Sequence, residues 1–115
     1  MAPSVLQLNI KSDMPTVDEA RRRLIQELQR AKARGIKAIK LIHGYGSTGV
    51  GGRLRDGLRS SLARRRKEGL IQAYVIGEKW SIFEDAARAV LEACPELRGD
   101  SDLDRFNEGV TIILL

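Results

Sequence analysis

Apolar residues recur along this chain with two alternating periods. Over residues 5–10, Leu6, Leu8 and Ile10 fall on one face while Gln7 and Asn9 fall on the other, the period of two that predicts a half-buried strand. Thr16-Val17-Asp18-Glu19 then reads as a capping box after Pro15, and Val17, Ala20, Leu24, Ile25, Leu28 and Ala31 keep helical spacing until Gly35 offers a stop. Residues 38–42 form a short β-branched apolar run, as a buried strand would, and glycine-rich residues 44–52 follow directly. Leu54, Leu58 and Leu62 mark a second helix that should end near Gly69. Residues 71–76 predict a third strand. Ser81 and Glu84 have the spacing of another cap, leading into a helix with Ala86, Ala87, Val90, Leu91 and Cys94 inward and Pro95 as its stop. Polar residues 96–109 read as a loop, and 110–115 as a wholly apolar last strand.

The predicted order is β-α-β-α-β-α-β. Strands joined through helices must mostly run parallel, so the expected fold is a compact single α/β domain over residues 1–115, a mixed sheet with flanking helices. The last strand, apolar on both faces, belongs in the middle of that sheet. Ligands of such sheets bind where loops leave the C-terminal ends of strands, the position occupied by the segment that begins at His43.

Composition narrows the partners. The 115 residues are 43% hydrophobic and 30% charged, ordinary for a globular chain. The single cysteine, Cys94, excludes an internal disulfide and a cysteine-rich zinc site. The first residues lack a basic leader, and no apolar run approaches the roughly 18 residues of a membrane span, so a cytoplasmic protein with no membrane partner is expected. The net charge of +5 is unevenly placed: residues 1–70 carry 16 Lys or Arg against 6 Asp or Glu, and residues 71–115 carry 4 against 9. Clustered positive charge suits a polyanion, because phosphate neutralisation releases counterions.

The chemistry concentrates between His43 and Arg59. Gly44, Gly46, Gly49, Gly51 and Gly52 allow backbone N–H groups to converge on an anion ahead of a helix N-terminus, and Arg53, Arg55 and Arg59 follow where they could grip phosphates. Residues 44–49 also match G-x-G-x-x-G, but Glu78 lies 29 positions beyond Gly49, against about 20 for the ribose-binding acid of a dinucleotide fold. A P-loop is absent, since no Gly-Lys-Ser/Thr follows the glycines. His43, the only histidine, has two readings: a general acid or base, or a residue that hydrogen-bonds the loop backbone.

The run Ile42-His43-Gly44-Tyr45-Gly46 with Leu54-Arg55 downstream resembles the H-G-x-G-x-G-x-L-R signature of the Smr (small MutS-related) domain. Leu8-Asn9-Ile10-Lys11-Ser12 takes the place of that family's L-D-L-H-G, Thr16-Val17-Asp18-Glu19-Ala20 that of T-V-E-E-A, and Gly109-Val110-Thr111 that of its closing G-x-T strand. The resemblance implies a fold similar to the C-terminal domain of the third bacterial translation initiation factor, DNA or RNA as partner, and in some members structure-selective endonuclease activity, with a divalent metal as the cofactor to be expected of a nuclease. His43, Lys11 and Asn9 take the places of catalytic signature residues, and Gly44, Gly46 and Arg55 those of the loop signature. Asn9 and Lys11 stand where the family has Asp and His, the glycine loop is about four residues longer, and residues 77–108 replace a short connection with a helix-and-loop insertion. Asn9 is no useful base, and a protonated Lys11 cannot ligate a metal, so binding survives these changes better than hydrolysis. The alternative is a non-enzymatic protein-interaction or ribosome-associated module, with the Trp80 segment as its surface.

Overall fold

The structure is a computed structural model that describes residues 3–12, 15–45 and 50–115. Strands β1 (Val5–Asn9), β2 (Ala38–Ile42), β3 (Ala73–Ile76) and β4 (Val110–Leu114) alternate with helices α1 (Val17–Ala33), α2 (Val50–Lys67) and α3 (Asp85–Ala93). The sheet order is β1-β2-β4-β3. β1 and β2 pair in parallel, and β4 runs antiparallel to both β2 and β3. All five residues of β4 are buried, as expected of an apolar central strand.

Two helical layers cover the sheet. On one face α1 contributes Ala20, Leu24, Leu28 and Ala31 and α2 contributes Leu54, Leu58 and Leu62, packed on Leu8, Ile10, Ile39, Leu41 and Ile113. On the other, α3 presents Ala87, Val90 and Leu91, which join Trp80, Cys94 and Leu97 over Ala38, Val75, Ile112 and Leu114. Thr16 caps α1 in a full capping box with Glu19. Gly35 and Gly69 follow α1 and α2 at φ +77° and +82°, left-handed values at which glycine carries no Cβ penalty.

Four expectations need correction. The helix after the glycine loop begins at Val50, so Gly51 and Gly52 belong to its first turn. Ser81 does not cap α3: its hydroxyl accepts the Phe83 N–H (3.2 Å) within a local turn, and the helix starts four residues later with Glu84 as an N-cap lacking a side-chain bond. Ala86 is exposed, because the buried Ala87, Val90, Leu91 and Cys94 already fill the inward stripe of α3. Residues 96–109 are more structured than a plain loop. They open on a 3-10 turn (Pro95–Gly99), and Asp100 and Asp102 reach the buried Lys40 of β2 at 2.7 and 2.6 Å.

Candidate nucleic-acid interface

Parallel pairing of β1 with β2 sets Asn9 level with Ile42, and antiparallel β4 enters at the same edge with Val110 level with Ile42 and Thr111 with Ile76. Four connections therefore meet at one end of the sheet: residues 10–12, the segment from His43, residues 77–80 and residues 107–109. The backbone ties them together. The N–H groups of His43 and Gly44 both donate to the Gly109 carbonyl at 3.0 Å, with Gly44 at φ +74°.

His43 lies fully buried inside this junction. Its Nδ1 is 2.8 Å from the Gly44 carbonyl and its Nε2 2.9 Å from Thr111 Oγ1. A carbonyl only accepts, so Nδ1 carries the proton and Nε2 accepts from the Thr111 hydroxyl. Thr111 Oγ1 in turn accepts from Arg59 Nε at 3.1 Å. Burial, opposed by the Gly44 carbonyl and reinforced by the charges of Arg59 and Arg55, lowers the His43 pKa from 6.5 to about 4. The imidazole is thus neutral near pH 7, with both nitrogens engaged.

Arg59 is the hub of the junction. Besides Thr111 it grips Glu78 through two bonds (3.0 and 2.8 Å) and donates to the carbonyls of Glu108 (3.2 Å) and Val110 (3.1 Å). Burial raises the Glu78 carboxyl pKa, but the Arg59 guanidinium outweighs it and leaves that group below its ordinary value. With these acceptors around it, Arg59 positions the junction instead of offering a free grip on phosphate.

The outer cations differ. Lys11 is exposed and lies over Gly44, where an added Cβ would stand 3.2 Å from Lys11 Cδ. Arg53, in the first turn of α2, is exposed and has no side-chain partner among the described residues. Arg55 is partly covered and pairs with Asp56 (3.1 Å) and Glu108 (3.3 Å). Tyr45 is exposed beside Gly109, whose added Cβ would meet the Tyr45 ring at 3.2 Å. Asn9 turns its Oδ1 back onto the N–H groups of Lys11 (3.1 Å) and Ser12 (3.3 Å), holding the turn that carries Lys11. Gly46 and Gly49 lie outside the described residues.

The structure thus brings His43, Gly44, Lys11, Asn9, Arg55 and Arg59 to one edge. Sequence reasoning missed Thr111 and Glu108 as members. A lone hydroxyl in an otherwise apolar strand was the available signal for Thr111, since a buried polar group needs a partner. Among the described residues no three His, Cys, Asp or Glu side chains gather as a metal centre would require. Asn9, Lys11 and His43 have their donor atoms turned to the backbone, protonated or bonded, so they do not fit a divalent cation. Among the described residues no helix is long and apolar enough to cross a membrane.

Among protein families, the Smr domain model matches residues 13–81. Among solved structures, the Smr domain of Thermus thermophilus MutS2 is similar with a TM-score of 0.56 and 21% identity, over 98% of this chain and 98% of that one; at that identity the likeness is one of fold. No curated protein matches the chain.

Proposed function

The chain belongs to the Smr domain family, and from that premise we propose that it binds DNA or RNA through phosphate contacts at this sheet edge. Smr domains are generally nucleic-acid-binding or nuclease modules. The observation that carries the reading is the exposed Lys11 over Gly44, together with an exposed Arg53 that has no side-chain partner among the described residues and lies in the first turn of α2, the helix that follows the loop. Lys11 adds its charge to a glycine backbone there, Arg53 extends the charge onto α2, and the helix N-terminus adds its partial positive charge. Arg55 joins them by exchanging Glu108 for a phosphate. Gly46 and Gly49 complete the loop's backbone donors in this reading. Tyr45 offers a ring on which a base or sugar can rest.

Binding is favoured over hydrolysis. A general base must reach the proton it removes, whereas His43 is enclosed with both nitrogens bonded, and neither Asn9 nor a protonated Lys11 replaces it. His43 and Asn9 act as positioning residues that shape the loop and the Lys11 turn. The experiment is fluorescence anisotropy with labelled single-stranded, duplex and branched DNA and RNA across a salt series, with a gel for cleavage in Mg²⁺ or Mn²⁺. Lys11→Gln with Arg53→Gln should shallow the salt slope by about two contacts, near 1.4 to 1.8 in log–log units, without sequence preference. No cleavage is expected. Absence of binding in low salt, or an unchanged slope in the double variant, overturns the interface. Cleavage that His43→Asn abolishes overturns the positioning role.

A second reading rests on exposed Ile82, Phe83 and Phe106. Residues 77–108, as an insertion in the domain, would present these side chains to a protein partner, and that contact, unlike a phosphate contact, would resist salt.

A further inference from the structure

Along α2, Arg53, Ser60, Arg64 and Lys67 are all exposed and follow one another at intervals of seven, four and three residues, which places them on one stripe of the helix. Beside the later part of that stripe a groove of about 470 Å³ opens between α1 and α2, lined by Arg21 and Ile25 of α1 and by Ser60, Ser61, Ala63, Arg64, Arg65 and Lys67 of α2. Its origin is steric. At Gly57 the helices touch so closely that an added Cβ would stand 2.5 Å from Val17 Cγ1, and past the groove Lys32 Nζ clamps the carbonyls of Gly69 (3.3 Å) and Leu70 (3.1 Å).

Four cations and two hydroxyls line this groove, and no carboxylate does. The partners of these cations are few. Arg21 meets Asp18 only at 3.8 Å and the Gly57 carbonyl at 3.5 Å. Arg65 pairs with Glu68 at 3.1 Å, while its buried Nε has no partner. Arg64 and Lys67 have no side-chain partner among the described residues. The helix dipole favours cations in the last turn of α2, which accounts for Arg64, Arg65 and Lys67 but not for Arg21, one turn into α1, nor for the hydroxyls.

We propose that this groove is a second phosphate-binding site and that a nucleic-acid backbone runs along α2 from its first turn to the groove. Length decides between a small anion and a polymer. At 1.5 Å per residue, Arg53 and Arg64 stand about 16 Å apart and Arg53 and Lys67 about 21 Å. A single phosphate cannot bridge that span, whereas a strand advancing about 3.4 Å per nucleotide covers it in five or six nucleotides. The inference rests on the nucleic-acid reading of the sheet edge and extends it to a surface that no signature residue marks.

The test compares wild type with Arg64→Gln/Lys67→Gln, whose side chains are exposed, and with Arg34→Gln/Arg98→Gln, an equal loss of charge elsewhere. Anisotropy is read on whichever nucleic acid the wild type binds best, offered in lengths of about 4 and about 12 nucleotides or stem base pairs, short of and beyond the stripe. The groove variant should shallow the salt slope on the longer ligand by about 1.4 to 1.8, leave the shorter ligand unchanged and still melt as a folded protein, a few degrees lower for the lost helix-end charges. The control pair should change neither slope. An unchanged slope on the longer ligand overturns the groove while leaving the sheet edge intact if Lys11→Gln/Arg53→Gln still weakens binding. Equal weakening on both lengths, or by the control pair, also overturns it as a general charge effect. Absence of wild-type binding defeats both readings together, and in that case capture on vesicles containing anionic phospholipid would reassign the basic surface.

Discussion

Lys40 and Arg59 are both largely buried cations that tie the segment after β3 to the rest of the fold, yet their networks end differently. Lys40, on β2, meets Asp100 and Asp102 and reaches Ser101 Oγ at 3.4 Å. Those acids continue to Trp80 Nε1 (3.0 Å), to the Asp102 N–H (3.1 Å) and to Asn107 Nδ2 (2.9 Å), whose Oδ1 accepts the Gly109 N–H (2.8 Å). Arg59, on α2, holds Glu78 and two carbonyls, but its Nε passes through Thr111 and His43 to the carbonyl of Gly44. The first network is chiefly a clamp and meets the junction only at the backbone of Gly109. The second leads to the loop. A buried ion pair is therefore not a functional marker by its burial or charge; what counts is the group at the far end of its hydrogen bonds.

Breaking the clamp should have the largest effect on stability and none on binding. Desolvation pulls the Lys40 pKa down, but the bonds and charges of Asp100 and Asp102 outweigh it and leave it raised, so the Lys40 ammonium keeps its charge at neutral pH. Lys40→Met leaves two carboxylates facing each other without a cation and should cost about 3 to 5 kcal/mol in urea unfolding. Affinity per folded molecule should stay within about twofold, since this network meets the loop only through the Gly109 N–H. A loss of tenfold or more in protein still folded would erase the distinction drawn between the two networks.

Removing the hub should cost somewhat less and also reach the loop. Arg59→Met strands a largely covered Glu78 carboxylate (32% exposed) and is expected to destabilise by about 3 kcal/mol. Because the Arg59 charge helps to hold the His43 pKa down, His43 should titrate at higher pH in this variant, as followed by NMR of the ring. Binding should weaken with it. Arg59→Lys keeps a charge but not the planar fork, so it should restore little of the stability. An unmoved His43 titration would show that the two residues are not coupled.

The smallest expected effect is the most specific. The His43 pKa lies at about 4 in the folded chain, against 6.5, so between these values the unfolded chain binds the extra proton and stability rises with pH. Full stabilisation is present above about pH 6.5 and is lost as pH falls toward 4, at up to about 1.4 kcal/mol per pH unit. Glu78 and Asp102, both held below their ordinary values chiefly by their Arg59 and Lys40 bonds against burial, lose their contributions at lower pH. The window from about pH 5 to 6.5 therefore isolates His43 at about 2 kcal/mol. Urea titrations of wild type and His43→Gln should differ by that slope, and parallel curves would mean that the imidazole is solvated.

Local patterning was enough to determine much of this protein. Periods of two and 3.6, the Thr16–Glu19 box and the glycines after α1 and α2 each act within a few residues, so their elements could be read directly. The unbroken apolar run of β4 placed it at the centre; the succession of strand, helix and strand implied parallel neighbours, which holds for β1 and β2, whereas β3 and β4, also joined through a helix, pair antiparallel. The order of signature segments pointed to the Smr domain. Other features depend on which distant segments meet. The antiparallel entry of β4 puts Gly109 against His43 and Thr111 against Arg59, and no local period records that register. Ser81 lost its expected capping role because its hydroxyl found a nearer N–H, and Ala86 faces solvent because Ala87, Val90 and Leu91 already fill the inward stripe of α3. Arg53, Arg55 and Arg59 look equivalent on the page, separated only by even steps along one helix. Packing alone decides that Arg59 is enclosed by acceptors, Arg55 half engaged and Arg53 without a side-chain partner among the described residues, because desolvation and hydrogen-bond supply belong to the assembled edge and not to any one residue.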